Sequence, residues 1–133
     1  MTDALDLAKR LIACESVTPA TGAVFDAMEA MLEPLGFHVT RFTAGEDAPA
    51  GQVENLYATR GTGARHFAFA GHLDVVPAGK GWTGDAFEPE ERGGLLYGRG
   101  AVDMKGAIAA FVAALDTVPE DAGRISLIIT GDE

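Results

Sequence analysis

His66-Phe67-Ala68-Phe69-Ala70-Gly71-His72-Leu73-Asp74-Val75-Val76-Pro77 is the stretch on which the reading of this chain turns. Its first part, His66 to Ala70, is predicted as a strand, and the cluster Gly71 to Pro77 comes directly after it. Side chains alternate along an extended segment, so His72 and Asp74 are expected to project to the same side. A carboxylate beside an imidazole fixes its tautomer and raises its basicity as a metal ligand. Taken alone, a His-x-Asp pair reads more readily as a hydrogen-bonded polar strand end.

Upstream, the pattern alternates between helix and strand. A helix is expected over residues 3 to 14, with Leu5, Ala8, Leu11 and Ile12 facing inward. A second is indicated by Val24, Ala27, Met28, Met31, Leu32 and Leu35, with Gly36 where a helix C-terminus favours glycine. Ser16-Val17-Thr18-Pro19 reads as the loop between them, its Thr-Pro suited to helix entry. Strands are expected over residues 37 to 42 and 53 to 59, separated by a polar loop from Gly45 to Gly51.

Downstream, residues 77 to 92 are rich in Gly, Pro and charge and read as a long excursion, with a short extended piece from Gly94 to Tyr97. Ala107 to Val118 is almost wholly apolar and is predicted as a buried helix. Arg124 to Thr130 reads as a buried strand. The fold class is α/β, a mixed sheet flanked by helices. In such sheets chemistry gathers at the carboxyl ends of strands, which directs attention to the residues just after Ala70 and just after Thr130.

Two more clusters could carry chemistry. Leu96-Tyr97-Gly98-Arg99-Gly100-Ala101-Val102-Asp103-Met104-Lys105-Gly106 precedes the buried helix, where Asp103 is either a simple N-cap or a carboxylate able to bridge two cations. The two glycines begin a dinucleotide-type pattern, but its third glycine position is Asp103, whose charge would repel a pyrophosphate, so a nucleotide site is rejected. Thr130-Gly131-Asp132-Glu133 comes after the last strand, and alone it reads as a charged, solvated segment.

The composition sets outer limits. A chain of 133 residues with 47% apolar and 23% charged residues suits one globular domain with a real core. Its net charge of −10 disfavours nucleic acid and anionic lipid as partners. No apolar run approaches the ~20 residues of a membrane span, and the start carries acids rather than a leader's apolar core. Cys14 is the sole cysteine, so an internal disulfide and a thiolate-rich zinc site are both excluded. The cytoplasm is the expected compartment.

In their order along the chain, these motifs give Gly-His-Leu-Asp-Val-Val-Pro, a Trp-containing loop, Leu-Tyr-Gly-Arg-Gly-Ala-Val-Asp-Met-Lys-Gly, an apolar helix, then a strand and Gly-Asp-Glu. This sequence resembles, over nearly its whole length, the dinuclear zinc metallopeptidase family of aminoacylases, acetylornithine deacetylases, dipeptidases and glutamate carboxypeptidases. The resemblance implies that His72 binds one metal, Asp74 orients it, Asp103 bridges both metals and Glu133 is the general base. It implies two zinc ions, with cobalt as a substitute, and a cis bond between Asp103 and Met104. Residues 1–133 would be the amino-terminal part of a zinc-peptidase-like catalytic domain. The remaining ligands, and a lid domain carrying a homodimer interface, would lie outside them, so this chain alone is expected to be inactive and its metal occupancy weak.

The substrate implied is a small molecule with an amide bond. Leu11-Ile12, Ser16-Val17-Thr18-Pro19 and Asn55-Leu56-Tyr57-Ala58 resemble one branch of the family more than the others. A deacetylase or peptidase of the same family, and a non-enzymatic α/β binding module, stand as the alternatives. His38 and His66 are expected to be structural or surface residues, Cys14 a small packing residue, and Ser16 and Thr18 loop and cap residues. Trp82 and Phe87 are expected to pack their loop over the sheet or border a cleft. Arg99 and Lys105 are expected to balance the carboxylates.

Overall fold

The computed structural model describes residues 2–47 and 51–133. Asp3 caps the first helix, α1 (Ala4–Ile12), its carboxylate accepting from Leu5 N at 2.8 Å. The buried face is Leu7, Ala8, Leu11 and Ile12. Leu5 is only half-buried, because the inward stripe runs through the two four-residue steps from Leu7 to Leu11 and from Ala8 to Ile12.

Helix α2 (Ala23–Leu32) buries Val24, Phe25, Met28, Met31 and Leu32. One tight turn over Glu33–Leu35 comes next, and Gly36 ends it in the left-handed region at φ 82°. The Thr18-Pro19 pair does not enter this helix as expected. Its peptide bond is cis, and the residue before the first turn is Gly22.

The strands are β1 (His38–Ala44), β2 (Val53–Arg60), β3 (His66–His72), β4 (Glu90–Arg92) and β5 (Leu95–Tyr97), followed by helix α3 (Gly106–Leu115) and strand β6 (Arg124–Thr130). Part of the expected loop from Gly45 to Gly51, residues 48–50, lies outside the described residues. The main sheet has the order β1-β2-β6-β3. β2 pairs antiparallel with both β1 and β6, and β3 pairs parallel with β6. Joining parallel β3 to β6 requires a crossover, and α3 lies on it. The end of the long excursion forms β4 and pairs with the expected extended piece, β5, as a small hairpin. Glu90-Glu91-Arg92 is charged and exposed throughout, so no apolar alternation betrays that strand.

All three helices share one core with the sheet face that carries Leu56, Ala58, Ile125, Leu127 and Ile129. Each fully buried aliphatic side chain there contributes about 1.5–3 kcal/mol. The opposite face presents Tyr57 and Ile128, cross-strand partners that are both exposed. Helix α3 is less enclosed than its apolar sequence predicts. Ile108, Ala109, Val112 and Leu115 are buried, whereas Ala107, Ala110 and Ala114 face outward. Among the described residues, no helix is long and apolar enough to cross a membrane.

Candidate metal centre

The carboxyl ends of the parallel pair β3 and β6 lie side by side, with His72 opposite Thr130 in the register. Leu73 N donates to Thr130 O at 2.9 Å and continues that pairing past the strand end. His72 therefore closes β3, Asp74 stands two residues on, and Glu133 lies beyond β6, three residues after Thr130. Asp103 arrives from the turn that precedes α3. Gly100 makes this turn at φ 87°, where a Cβ would also stand 2.7 Å from Val75 Cγ1. The Asp103–Met104 peptide bond is cis, as the family resemblance implied.

His72 Nδ1 lies 3.0 Å from the Asp74 carbonyl oxygen and 3.1 Å from Asp74 Oδ1. A carbonyl oxygen only accepts, so Nδ1 carries the hydrogen and the Nε2 lone pair of the neutral ring is left to face the cleft. On that side Asp103 Oδ1 is 3.1 Å away and Glu133 Oε2 is 3.6 Å away. Ligand atoms of His72, Asp103 and Glu133 all lie within 4.8 Å of one another. Donors bound tetrahedrally to one zinc at about 2.0–2.1 Å stand roughly 3.3–3.4 Å apart, close to the His72–Asp103 spacing. One imidazole nitrogen and two carboxylates are also donor types that zinc accepts, so these residues fit a metal.

The electrostatics show the same division. The side chains of His72 and Asp74 are 11% and 7% exposed, whereas those of Asp103 and Glu133 are 76% and 70% exposed. Burial alone would push the His72 imidazole down. The Asp74 carbonyl and carboxylate, with Asp103 and Glu133, outweigh it and hold the ring above its ordinary value. A positive charge is thus favoured on the ring, which these carboxylates flank on both sides. The open cleft above them measures about 300 Å³, and Val75, Trp82, Tyr97, Arg99 and Val102 contribute to its walls.

The structure brings together all four residues singled out from the sequence. Asp103 is not a helix cap: Lys105 occupies the position before α3, and no side chain caps that end. The cations behave differently from expectation. Lys105 is fully buried and donates to Leu11 O at 2.8 Å and Cys14 O at 2.9 Å, at the end of α1. Arg99 lies over the Trp82 ring and donates to Ala78 O at 2.8 Å. Neither pairs with a carboxylate among the described residues. His66 is structural, its Nε2 lying 2.8 Å from Ser126 Oγ.

Two residues of the site escaped the sequence reading. Thr18 Oγ1 donates to Asp74 Oδ2 at 2.6 Å. Met104 packs under the strand end, its Sδ accepting from His72 N at 3.3 Å. One signal for Thr18 was present: a residue before proline is biased to extended backbone, which can lie along a strand end.

Comparison with known proteins relates the chain to a family. Residues 68–133 match the model of peptidase family M20/M25/M40. The chain belongs to that family. It is 69% identical over its whole length to a succinyl-diaminopimelate desuccinylase of Erythrobacter litoralis (strain HTCC2594), covering 36% of that relative. It is 71% identical to one of Sphingopyxis alaskensis (strain DSM 13593 / LMG 18877 / RB2256), with 98% of this chain and 35% of the relative covered. The chain thus spans about a third of the length of these curated relatives. Among solved structures it resembles human carnosine dipeptidase 1, with a TM-score of 0.82 and 28% identity over 96% of this chain and 31% of that one.

Proposed function

We propose that residues 1–133 are the amino-terminal part of the catalytic domain of a metal-dependent amide hydrolase. The reaction is N-succinyl-LL-2,6-diaminopimelate plus water to succinate and LL-2,6-diaminopimelate, a step toward lysine and cell-wall precursors. The chemistry rests on one observation: an imidazole and two carboxylates from three separate segments converge at the ends of β3 and β6. The substrate rests on the 69% and 71% identity to proteins named for this activity.

His72 would offer Nε2 to the metal, and Asp103 would offer its carboxylate. Asp74 holds the imidazole by Nδ1–H, which keeps the ligating lone pair on the cleft side. Two zinc ions, when bound, supply Lewis-acid polarisation of the amide carbonyl and lower the pKa of the attacking water. Glu133 takes a proton from that water and delivers it to the leaving amine. Val75, Trp82 and Val102 give the cleft beside these residues an apolar wall. The further ligands, and a lid domain through which the enzyme forms a homodimer, belong to the remaining two thirds of the relatives' length. His72, Asp103 and Glu133 are too few donors for two ions of about four ligands each, so the 133 residues alone are inactive.

The fold likeness to carnosine dipeptidase 1 favours peptide cleavage as the second reading. The deciding experiment compares turnover of succinyl-diaminopimelate, acetylornithine and a dipeptide by the zinc-loaded full-length polypeptide. Release of succinate should dominate. A full-length protein that leaves succinyl-diaminopimelate intact refutes the assignment, and robust hydrolysis by the 133-residue chain refutes its inactivity.

A further inference from the structure

The segment from Ser16 to Ala20 belongs to neither strand that carries the site, yet it is tied to both. Thr18 N donates to Val75 O at 3.1 Å and Val75 N to Ser16 O at 2.9 Å, so Val17 and Val75 form a parallel bridge. The buried Ser16 hydroxyl donates to Leu73 O at 2.7 Å. At the other end Ala20 N donates to Gly131 O at 2.7 Å. The approach there is close: a Cβ on Gly131 would stand 2.6 Å from both Ala20 O and Glu54 O. The backbone on either side of Thr18 is therefore fixed against residues 73–75 and against residue 131.

From this fixed backbone the Thr18 hydroxyl donates to Asp74 Oδ2 at 2.6 Å, the length of a charge-assisted hydrogen bond. The other carboxylate oxygen, Oδ1, faces His72 Nδ1 at 3.1 Å and accepts from Glu133 N at 3.1 Å. Asp74 is only 5% exposed, so few waters are at hand to replace a lost donor. The two oxygens have separate duties. One is anchored by Thr18, and the other serves the imidazole and the strand end that bears Glu133.

We propose that Thr18 is a positioning residue of the metal centre. Its hydroxyl holds the Asp74 carboxylate in the rotation that presents Oδ1 to both His72 and Glu133. The inference rests on the reading of His72 as a ligand and Asp74 as the group that orients it. Without the hydroxyl, Asp74 turns to satisfy the freed oxygen, and the imidazole and the Glu133 backbone lose a common fixed point.

The test uses the full-length polypeptide with Thr18→Val, which keeps the shape and removes the donor, and Thr18→Ser, which keeps the donor. Zinc affinity is measured by competition with a chromogenic chelator, and kcat and KM on succinyl-diaminopimelate. The Val variant should lose about tenfold or more in zinc affinity and in kcat, with KM within about twofold, since partners of metal-binding histidines carry effects of about 10–100-fold. The Ser variant should recover most of both. In an Asp74→Ala background Thr18→Val should add nothing further. Thr18→Cys, a weaker donor of similar size, should fall between Val and wild type, and carries the test if the Val variant does not fold.

Wild-type zinc affinity and kcat in the Val or Cys variant, a Ser variant as impaired as Val, or an undiminished Thr18 effect without the Asp74 carboxylate each overturns the proposal. If the wild-type protein binds zinc but does not cleave the substrate, the functional reading fails, while the zinc measurements still decide the role of Thr18.

Discussion

Glu133 N donates to Asp74 Oδ1 at 3.1 Å, so the carboxylate that holds the imidazole also holds the backbone of the residue proposed as the base. Asp74 Oδ1 thereby sets the distance between a ligand on β3 and a base beyond β6. Changing Asp74 to Asn puts an amide nitrogen on one of the two positions that now accept. Zinc affinity and kcat should both fall by about 10–100-fold. Chelator competition and steady-state kinetics on the full-length polypeptide check this, and an Asn variant with wild-type values for both contradicts it.

Glu133 lies near enough to His72 and Asp103 to act as a ligand or as a base, and Glu133→Gln separates the two. As a base, its loss should lower kcat by about 10²–10⁴-fold while leaving zinc content unchanged. Metal analysis of the purified variant supplies the second measurement. Loss of zinc alongside activity would reassign Glu133 as a ligand.

The His72 ring is held above its ordinary value of 6.5 in the metal-free protein, despite the opposing effect of burial. A raised imidazole keeps its proton as pH rises past that value, and zinc must displace it. Zinc affinity should therefore climb with pH until His72 has titrated, above the range of a free imidazole. Removing the Asp74 carboxylate should shift the steep part of this profile to lower pH. Titrating the His72 ring protons by NMR gives the direct check, and a ring that titrates below its ordinary value sinks the prediction.

Burial pushes the Lys105 ammonium down to about 8 from 10.5. Its folded value is thus below its unfolded value, and between the two the unfolded chain binds more protons. The stability contributed by Lys105 should rise with pH across this window and be at its lowest below it. Denaturant midpoints of wild type and Lys105→Met, compared through the window, should diverge in favour of wild type. Parallel profiles would show that the ammonium is not desolvated.

Gly131→Ala tests the close approach beneath the strand end. Both clashes are with backbone oxygens, so the chain itself must move. A loss of about 1–3 kcal/mol in stability is expected, together with reduced turnover as Glu133 shifts. A variant with the wild-type melting temperature and kcat would show that the approach is looser than 2.6 Å.

Much of this was legible from the chain. The helix stripes, the apolar β6 and the ordered motifs around His72, Asp103 and Glu133 emerge from period, turn chemistry and family likeness. The hidden features depend on contacts that no local pattern encodes. Glu90-Glu91-Arg92 forms a strand with no apolar member. Lys105 reads as a counter-charge to the carboxylates, yet its stem is enclosed and its head satisfied by two carbonyls of a distant helix end. Thr18 reads as a loop residue because its partner lies 56 positions away. Helix α3 is apolar all round although only one of its faces is covered by the described residues.

The crossover between β3 and β6 also bears on how the centre comes into being. Thr18 and Glu133 each meet Asp74 across more than 50 positions of chain, 56 and 59 respectively. Such contacts have high contact order and form slowly, after long loops have closed. Neither helices nor hairpins alone can assemble these donors, so metal uptake should lag behind helix formation during refolding. The rate at which zinc becomes bound would then serve as a clock for the closing of the parallel pair.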